Sequence, residues 1–364
     1  MRMTRSIPAA AVMLFATCVH AQSSVTLSGM IDAGITYVSN QGGHSNVRFD
    51  DGIGFPNLFS FSGREDLGGG TAAVFKLENQ FVLGTGSFIP QQSLFSREAY
   101  VGLDSNMLGR LTLGRQYDFM VDSLFSGMND GASMFGAGLY DFRAGPFNKL
   151  ALPENPTGAM DWDRMGGDMA ISNAIKYSSP VYGGFSGGVL YSFGGVPGSV
   201  GSNNAVSAGL NYTHGAFGAN AAYTNQKYSV GGISTSVRNW GIGAHFDAGP
   251  FTTTALFTTV HNSINNGSVW GTQLAEVWHI NPFLFLSGSW LYMNGNATVD
   301  NNHANQFSAA LTYALSKRTI TYVSAVWQRA NADAQAQING MVGPDGMSSG
   351  PNQVLARIGL KTMF

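Results

Sequence analysis

The chain has little of two residue classes on which many folded proteins depend, thiols and charged side chains. Its only cysteine is Cys18, and Asp, Glu, Lys and Arg together make up 11% of its 364 residues. Because Cys18 falls in a segment that reads as a removable leader, the mature chain holds no thiol. This excludes a disulfide framework and a cysteine-based metal site.

Long apolar runs are also missing. No stretch approaches the ~18 apolar residues that a membrane-spanning helix requires. The nearest is Ala9–Val19, which follows the basic residues Arg2 and Arg5 and precedes Val19-His20-Ala21, a small-residue cleavage site. This pattern predicts a secretory signal peptide over residues 1–21 and a single mature domain over residues 22–364.

Basic residues are in the minority once the leader is set aside. Removing Arg2 and Arg5 from the 19 basic residues leaves 17 against 21 acidic ones, a net charge near −4. Nucleic-acid-binding proteins usually present a basic surface. We therefore expect no nucleic-acid partner.

What the sequence does contain is alternation with a period of two. In the last segment, Val354, Ala356, Ile358, Leu360, Thr362 and Phe364 form one set, whereas the intervening set carries Arg357 and Lys361. Since successive side chains of a strand point to opposite faces, one face is apolar and the other is mixed and partly charged. Such a strand suits a sheet with lipid on one side and water on the other.

The same unit recurs along the chain. Segments of about ten alternating residues are separated by Gly, Asn, Ser or Asp, and 48 residues are glycine. The sequence predicts an all-β transmembrane antiparallel barrel of about 16 strands, closed because an open edge in lipid would leave backbone groups unpaired. The predicted strands lie near residues 25–38, 57–65, 71–81, 95–103, 108–116, 171–179, 184–194, 204–213, 217–228, 236–247, 250–261, 268–280, 283–294, 304–315, 318–329 and 353–364.

The alternation of apolar and polar residues is interrupted over residues 117–168. Loops of this length without regular structure are often functional. This one is rich in acids, and three of them, Asp118, Asp122 and Asp130, lie near its start.

Several short motifs resemble those of the general porins of the Gram-negative outer membrane, of the betaproteobacterial type. They span the mature chain and are Ser24-Val25-Thr26-Leu27-Ser28-Gly29, Glu65-Asp66-Leu67-Gly68-Gly69-Gly70, Arg97-Glu98-Ala99-Tyr100-Val101-Gly102-Leu103, Leu113-Gly114-Arg115-Gln116-Tyr117, Asn173-Ala174-Ile175-Lys176-Tyr177-Ser178-Ser179-Pro180 and Leu315-Ser316-Lys317-Arg318-Thr319. The resemblance implies a homotrimer of sixteen-stranded barrels in the outer-membrane lipid. It also implies an inward-folded third loop and passive diffusion of ions and small hydrophilic solutes. The terminal Phe364 would be recognised by the outer-membrane insertion machinery.

The resemblance and the strand parity together assign a pore constriction. We expect Arg97, Arg115, Lys76 and Glu78 on its wall side and Asp118, Asp122 and Asp130 on its loop side. Cationic or strongly polar wall residues are expected from the family at four further positions that are uncharged here, namely Met30, Leu58, Ser62 and Ala170. We therefore expect weak ion selectivity.

Two other classes of protein are weighed against a channel. A barrel enzyme would need a converging nucleophile, base and orienting group, but the histidines are scattered singly and no phosphate-cradling or metal-ligand motif is present. The sequence therefore predicts neither an enzyme nor a cofactor. A structural or adhesin barrel with a plugged lumen remains the alternative, although inner faces rich in Ser, Thr, Asn and Gln favour a wet channel.

Overall fold

The structure is a computed structural model, and it describes residues 24–90, 93–125, 144–155, 157–338 and 346–364. The predicted signal peptide over residues 1–21 and the loop acid Asp130 lie outside these ranges. Within the described part of the chain, no helix is long and apolar enough to cross a membrane.

The described chain forms one antiparallel sheet that closes on itself. Its strand segments are β1 (Ser24–Gln41), β2 (His44–Asp51), β3 (Leu58–Gly68), β4 (Thr71–Phe81), β5 (Phe88–Ile89), β6 (Glu98–Ser105), β7 (Gly109–Gln116), β8 (Ile171–Ser178), β9 (Phe185–Ser192), β10 (Ala205–His214), β11 (Phe217–Val230), β12 (Ile233–Ala248), β13 (Phe251–Asn262), β14 (Gly267–Asn281), β15 (Leu284–Gly295), β16 (His303–Ala314), β17 (Thr319–Ala330) and β18 (Asn352–Met363).

The barrel wall has sixteen strands, as the sequence predicts. The segments β2 and β3 are two halves of one wall strand, because β1 pairs with β2 through its second half and with β3 through its first. The two-residue β5 only adds to the end of β4. Closure is made by β1 and β18, whose register runs from Met30↔Met363 to Val38↔Leu355. No edge is left for lipid to reach.

The two faces of the wall follow the predicted alternation. In β18, Arg357 and Lys361 are buried on the inner face, whereas Val354, Ile358 and Leu360 are exposed on the outer one. The first strand behaves in the same way, with Asp32 and Thr36 buried and Ile35 and Tyr37 exposed. An apolar outer band around a polar interior is the arrangement that a lipid-embedded barrel requires.

The connections differ in length at the two ends of the barrel. At the end that holds Ser24 and Phe364 they are short, and the turn at Gly68, Gly69 and Gly70 has φ values of 84°, 61° and 75°. Glycine adopts this left-handed backbone without a Cβ penalty, which suits the tight turn between β3 and β4. The opposite end carries the long connections, including residues 117–170 between β7 and β8.

One wall strand was only partly anticipated. The sequence predicts its second half near residues 57–65 but not β2, whose outward side chains include only two large apolar residues, Val47 and Phe49. Between the halves, residues 52–57 leave the wall, and the ring of Phe55 becomes buried. The Lys361 ammonium lies 4.2 Å from the centre of that ring.

A buried ion pair connects the first and last strands inside the barrel. An Asp32 Oδ2 atom lies 3.0 Å from Arg357 Nη2, and both side chains are fully buried. The hydroxyl of Tyr322 donates to Asp32 Oδ1 at 2.6 Å and accepts from Arg357 Nε at 2.8 Å. The backbone N–H of Gly54 also donates to Asp32 Oδ2, at 3.0 Å. One carboxylate therefore links β1, β17, β18 and the inward segment 52–57.

We expect Asp32→Asn to destabilise the barrel by about 3 kcal/mol, because removing one partner of a buried pair leaves the Arg357 charge uncompensated. The measurement is urea unfolding in lipid vesicles, followed by the gel mobility of unheated samples. Asp333→Asn, at an exposed loop aspartate, is the matched control and should unfold like the parent. Equal midpoints for both variants would contradict this role.

Candidate functional site

The long connection between β7 and β8 contacts the inner face of the wall at its beginning. A short π-helical turn, Met120–Phe125, begins four residues after the end of β7. The backbone N–H of Phe119 donates to Ser207 Oγ at 3.0 Å, and the Asn220 amide donates to the Ser123 carbonyl. Both wall residues lie on inner faces, of β10 and β11 respectively. This part of the connection is therefore hydrogen-bonded to the lumen side of the barrel.

The end of the same connection packs on β12 to β16. Trp162 is fully buried, and its carbonyl accepts from Asn239 Nδ2 at 2.7 Å. Thr258 Oγ1 donates to Asp163 Oδ2 at 2.9 Å, and Asn262 Nδ2 donates to the Leu150 carbonyl at 2.9 Å. Around these contacts lies an apolar cluster made of Phe147, Leu150, Leu152, Ala159, Trp162, Tyr228, Val237, Val260, Val269, Leu291, Met293, Val299, Ala304, Ala330, Ala334 and Ala336. Side chains thus fill this side of the lumen.

The predicted wall residue Arg97 holds the end of the connection to the opposite side. It lies just before β6, and its side chain is 5% exposed. Its Nη2 is 2.6 Å from Asp168 Oδ1, its Nη1 donates to the Gly166 carbonyl at 2.7 Å, and its Nε donates to Gln80 Oε1 at 2.7 Å. The Arg97 charge is therefore paired with an acid of the connection.

The predicted wall residue Arg115 is placed differently. Its Nε donates to the Ser96 carbonyl at 2.6 Å and its Nη1 donates to Ser172 Oγ at 2.7 Å. Both acceptors are neutral, and within the described ranges Arg115 forms no salt bridge. The side chain is half-buried. Its positive charge is therefore less compensated than that of Arg97.

Lys76 and Glu78 belong to a second group of charged side chains, which form ion pairs with one another. Lys76 Nζ lies 2.9 Å from Glu78 Oε2 and 2.6 Å from Glu98 Oε2. Burial raises the pKa of Tyr117 well above its usual value, so its hydroxyl stays protonated and donates to Glu78 Oε1 at 3.2 Å. Sequence parity missed Glu98, although it lies opposite Glu78 in the β4–β6 register. One ammonium thus serves two carboxylates.

The two predicted loop-side acids that the structure describes, Asp118 and Asp122, are also paired. Asp118 binds Arg164 of the same connection, and both side chains are almost fully buried. Asp122 binds Lys176 of β8. Neither acid faces Arg97 or Arg115 as a free charge, because each is compensated by a closer cation that sequence reasoning did not assign to it.

Asp161 stabilises the turn that leads to Asp168. Its carboxylate accepts from the N–H of Gly166 at 2.6 Å and from the N–H of Asp168 at 3.3 Å. Burial raises the pKa of Asp161 well above its ordinary value, and the charges of Asp168 and Asp163 act in the same direction. Asp161 therefore takes up a proton at higher pH than an ordinary aspartate does.

A cavity of about 250 Å³ lies between the wall and the connection. Arg97 and Arg115 line it from the wall side, and Glu154 and Asp168 line it from the connection. The remaining lining residues are Gln80, Ile89, Pro90, Ser96, Asn155, Met160, Met169, Ala170, Gln226 and Tyr228. Glu154 carries a negative charge on the same cavity as Arg115. Sequence reasoning missed its importance because nothing local distinguishes it from the other loop acids.

Comparison with protein families matches residues 9–333 to the Gram-negative porins. The chain belongs to this family. It is 27% identical to an outer membrane porin protein of Bordetella pertussis, over 88% of this chain and 93% of that protein. It is also 27% identical to the outer membrane porin protein 32 of Delftia acidovorans, over the full length of both. It is thus an outer-membrane porin, and the predicted family and location are confirmed.

Solved structures of other proteins share the fold. An anion-selective porin from Comamonas acidovorans aligns with a TM-score of 0.78 and 22% identity, over 94% of this chain and 100% of that one. OmpT of Vibrio cholerae in a trimer form aligns with a TM-score of 0.63 and 11% identity, over 94% of this chain and 99% of that one. Both alignments show the closed sixteen-stranded barrel fold, and the family match makes this barrel a diffusion channel.

The charges around the cavity predict how this porin responds to neutralisation. A unit charge ~5 Å from an ion in water is worth about 0.8 kcal/mol. We therefore expect Arg115→Gln to shift the permeability ratio roughly two- to fivefold toward cations, and Glu154→Gln to shift it similarly toward anions. The measurement is the reversal potential of a planar bilayer in a salt gradient.

The matched control removes the Arg97–Asp168 pair as a whole. Arg97→Gln combined with Asp168→Asn changes no net charge, so the reversal potential should stay near that of the parent even if the channel becomes noisier. A shift as large as that of Arg115→Gln would contradict the view that the pair is electrically balanced.

Proposed function

We propose that permeants of this porin pass a constriction at the cavity between Arg115 and Glu154. The observation that supports this proposal is that Arg115 of the wall and Glu154 of the loop line the same cavity without forming a salt bridge. Opposed charges across a narrow passage orient and sort ions. In this proposal Lys76, Glu78, Asp118 and Asp122 act by fixing the wall and the loop.

The charge balance favours a weakly selective channel. Two cations, Arg97 and Arg115, and two acids, Glu154 and Asp168, line the cavity. The solved porin of similar fold from Comamonas acidovorans is described as anion-selective. Here the equal numbers of opposite charges, with Ala170 neutral on the same cavity wall, support at most a mild preference.

We further propose a homotrimer without enzymatic activity. The segment between β4 and β6 presents exposed apolar side chains, Leu83, Phe88 and Leu94. Its backbone is fixed to the barrel by Asp51, which accepts from the N–H of Leu83 at 2.8 Å and from the N–H of Gly84 at 2.9 Å. An apolar loop held in a fixed position suits contact with a neighbouring subunit.

One experiment tests channel and trimer together. Purified protein in a planar bilayer should insert as stable open units, and high voltage should close each unit in three equal steps. A plugged structural or adhesin barrel would give no stable conductance. Single-step closure, with a monomer mass by light scattering in mild detergent, would refute the trimer but not the channel.

The terminal residue is proposed to serve assembly. Phe364 pairs with Gly29 through two backbone hydrogen bonds of 3.1 Å. Its ring lies where a Cβ on Gly29 would be, with Phe364 Cζ only 2.3 Å from that position. Even so, the side chain is 46% exposed, so an insertion factor can reach it.

Phe364→Ala should lower the outer-membrane yield several-fold and leave the conductance of each inserted channel unchanged, because the residue lies outside the cavity. Quantitative blotting of membrane fractions and single-channel recording measure the two effects. Met363→Ala is the neighbouring control, and a comparable loss of yield there would argue against a specific role of Phe364.

A further inference from the structure

The cavity between the wall and the loop has an apolar side as well as a charged one. Five of its lining residues are Ile89, Pro90, Met160, Met169 and Ala170. A passage that served only hydrated ions would gain nothing from such side chains, since they offer no replacement for water. They are suited to the hydrocarbon part of a solute, which is stabilised by leaving water.

The charged side of the cavity carries two separate, opposite charges. Arg115 donates only to neutral acceptors, and Glu154 accepts no hydrogen bond and forms no salt bridge within the described part of the chain. Both residues line the same cavity, so both charges act on a solute inside it. A solute that brings its own anion and cation can compensate both residues at once, whereas a simple anion or cation leaves one of them without a partner.

A buried amide oxygen lies in the cavity wall and could accept a hydrogen bond from the cationic group of a solute. The Oε1 atom of Gln226 is buried in the cavity wall, and no donor among the described residues reaches it. A buried acceptor without a donor costs free energy. A small side-chain movement would direct it toward an N–H group of a bound solute, and an ammonium group offers three.

The geometry points to a subsite for zwitterionic α-amino acids with an aliphatic side chain. The carboxylate would bind Arg115, the ammonium would face Glu154 and Gln226, and the side chain would contact Met160 and Ile89. A volume of about 250 Å³ admits a solute of roughly eight non-hydrogen atoms, taking ~30 Å³ for each water-sized group. The inference rests on the proposed passage of permeants through this cavity, and it specifies the class of solute that binds there.

The test is the block of ion current by added solutes in a planar bilayer. Leucine should reduce the current of the parent channel at concentrations roughly three- to tenfold lower than N-acetylleucine, leucinamide or glycine, which lack the cation, the anion or the side chain. Arg115→Gln and Glu154→Gln should each remove this advantage. Lys149→Gln should keep it, because Lys149 is a loop cation outside the cavity, 2.7 Å from Asp300.

The outcomes separate the subsite from the channel. Open channels with equal block by all four solutes would overturn the subsite and leave the channel function intact. Absence of any conductance would overturn the channel itself. Loss of the advantage in Lys149→Gln as well would assign it to the overall charge of the entrance, and this would also overturn the subsite. Insertion of the glutamine variants as stable open channels shows that the pore is formed.

Discussion

The requirement that every backbone polar group in lipid be paired within the protein determines the rest of this structure. Sixteen strands satisfy it only if the first and the last meet, and they meet along Met30 to Val38 on β1. The seam is more than a backbone ladder. Asp32 and Arg357 form an ion pair across it on the inner side, and Tyr322 is hydrogen-bonded to both. The same carboxylate accepts from Gly54, so closure of the barrel and the inward course of residues 52–57 are linked.

Much of the wall follows from the sequence because alternation is a local signal. The strand predicted over residues 71–81, for example, has the same limits in the structure. Successive side chains of a strand point alternately to the polar inner face and to the apolar outer face, so the pattern is visible in the sequence. Where alternation is weak the prediction failed. The half-strand β2 carries Arg48, Asp50 and Asp51, which resemble a hydrophilic loop until β1 is known to lie beside them.

The site was less predictable because its charges are arranged by contacts between distant residues. Arg97 and Asp168 are 71 positions apart, and the sequence around each residue gives no sign that they form an ion pair. The sequence predicts that Asp118 faces the wall cations, but in the structure it forms a buried ion pair with Arg164 of the same connection. Desolvated charges are stabilised only by near partners, so each acid of the long connection takes the cation that the fold brings to it. Strand parity predicts which side chains point inward, but it does not predict which of them remain unpaired.

The two sides of the lumen consequently have different roles. Toward β12 to β16, the connection packs as a hydrophobic core, with Trp162 and Phe147 fully buried. Toward β4 to β8, it is held by ion pairs, of which Arg97–Asp168 is the most buried on that wall. The first side fixes the position of the loop through packing that salt does not screen, and the second brings charge to the cavity. Because most charges near the cavity are paired at short range, its field arises from the few that are not. We therefore propose that selectivity in this porin depends on Arg115 and Glu154 rather than on the net charge of the chain.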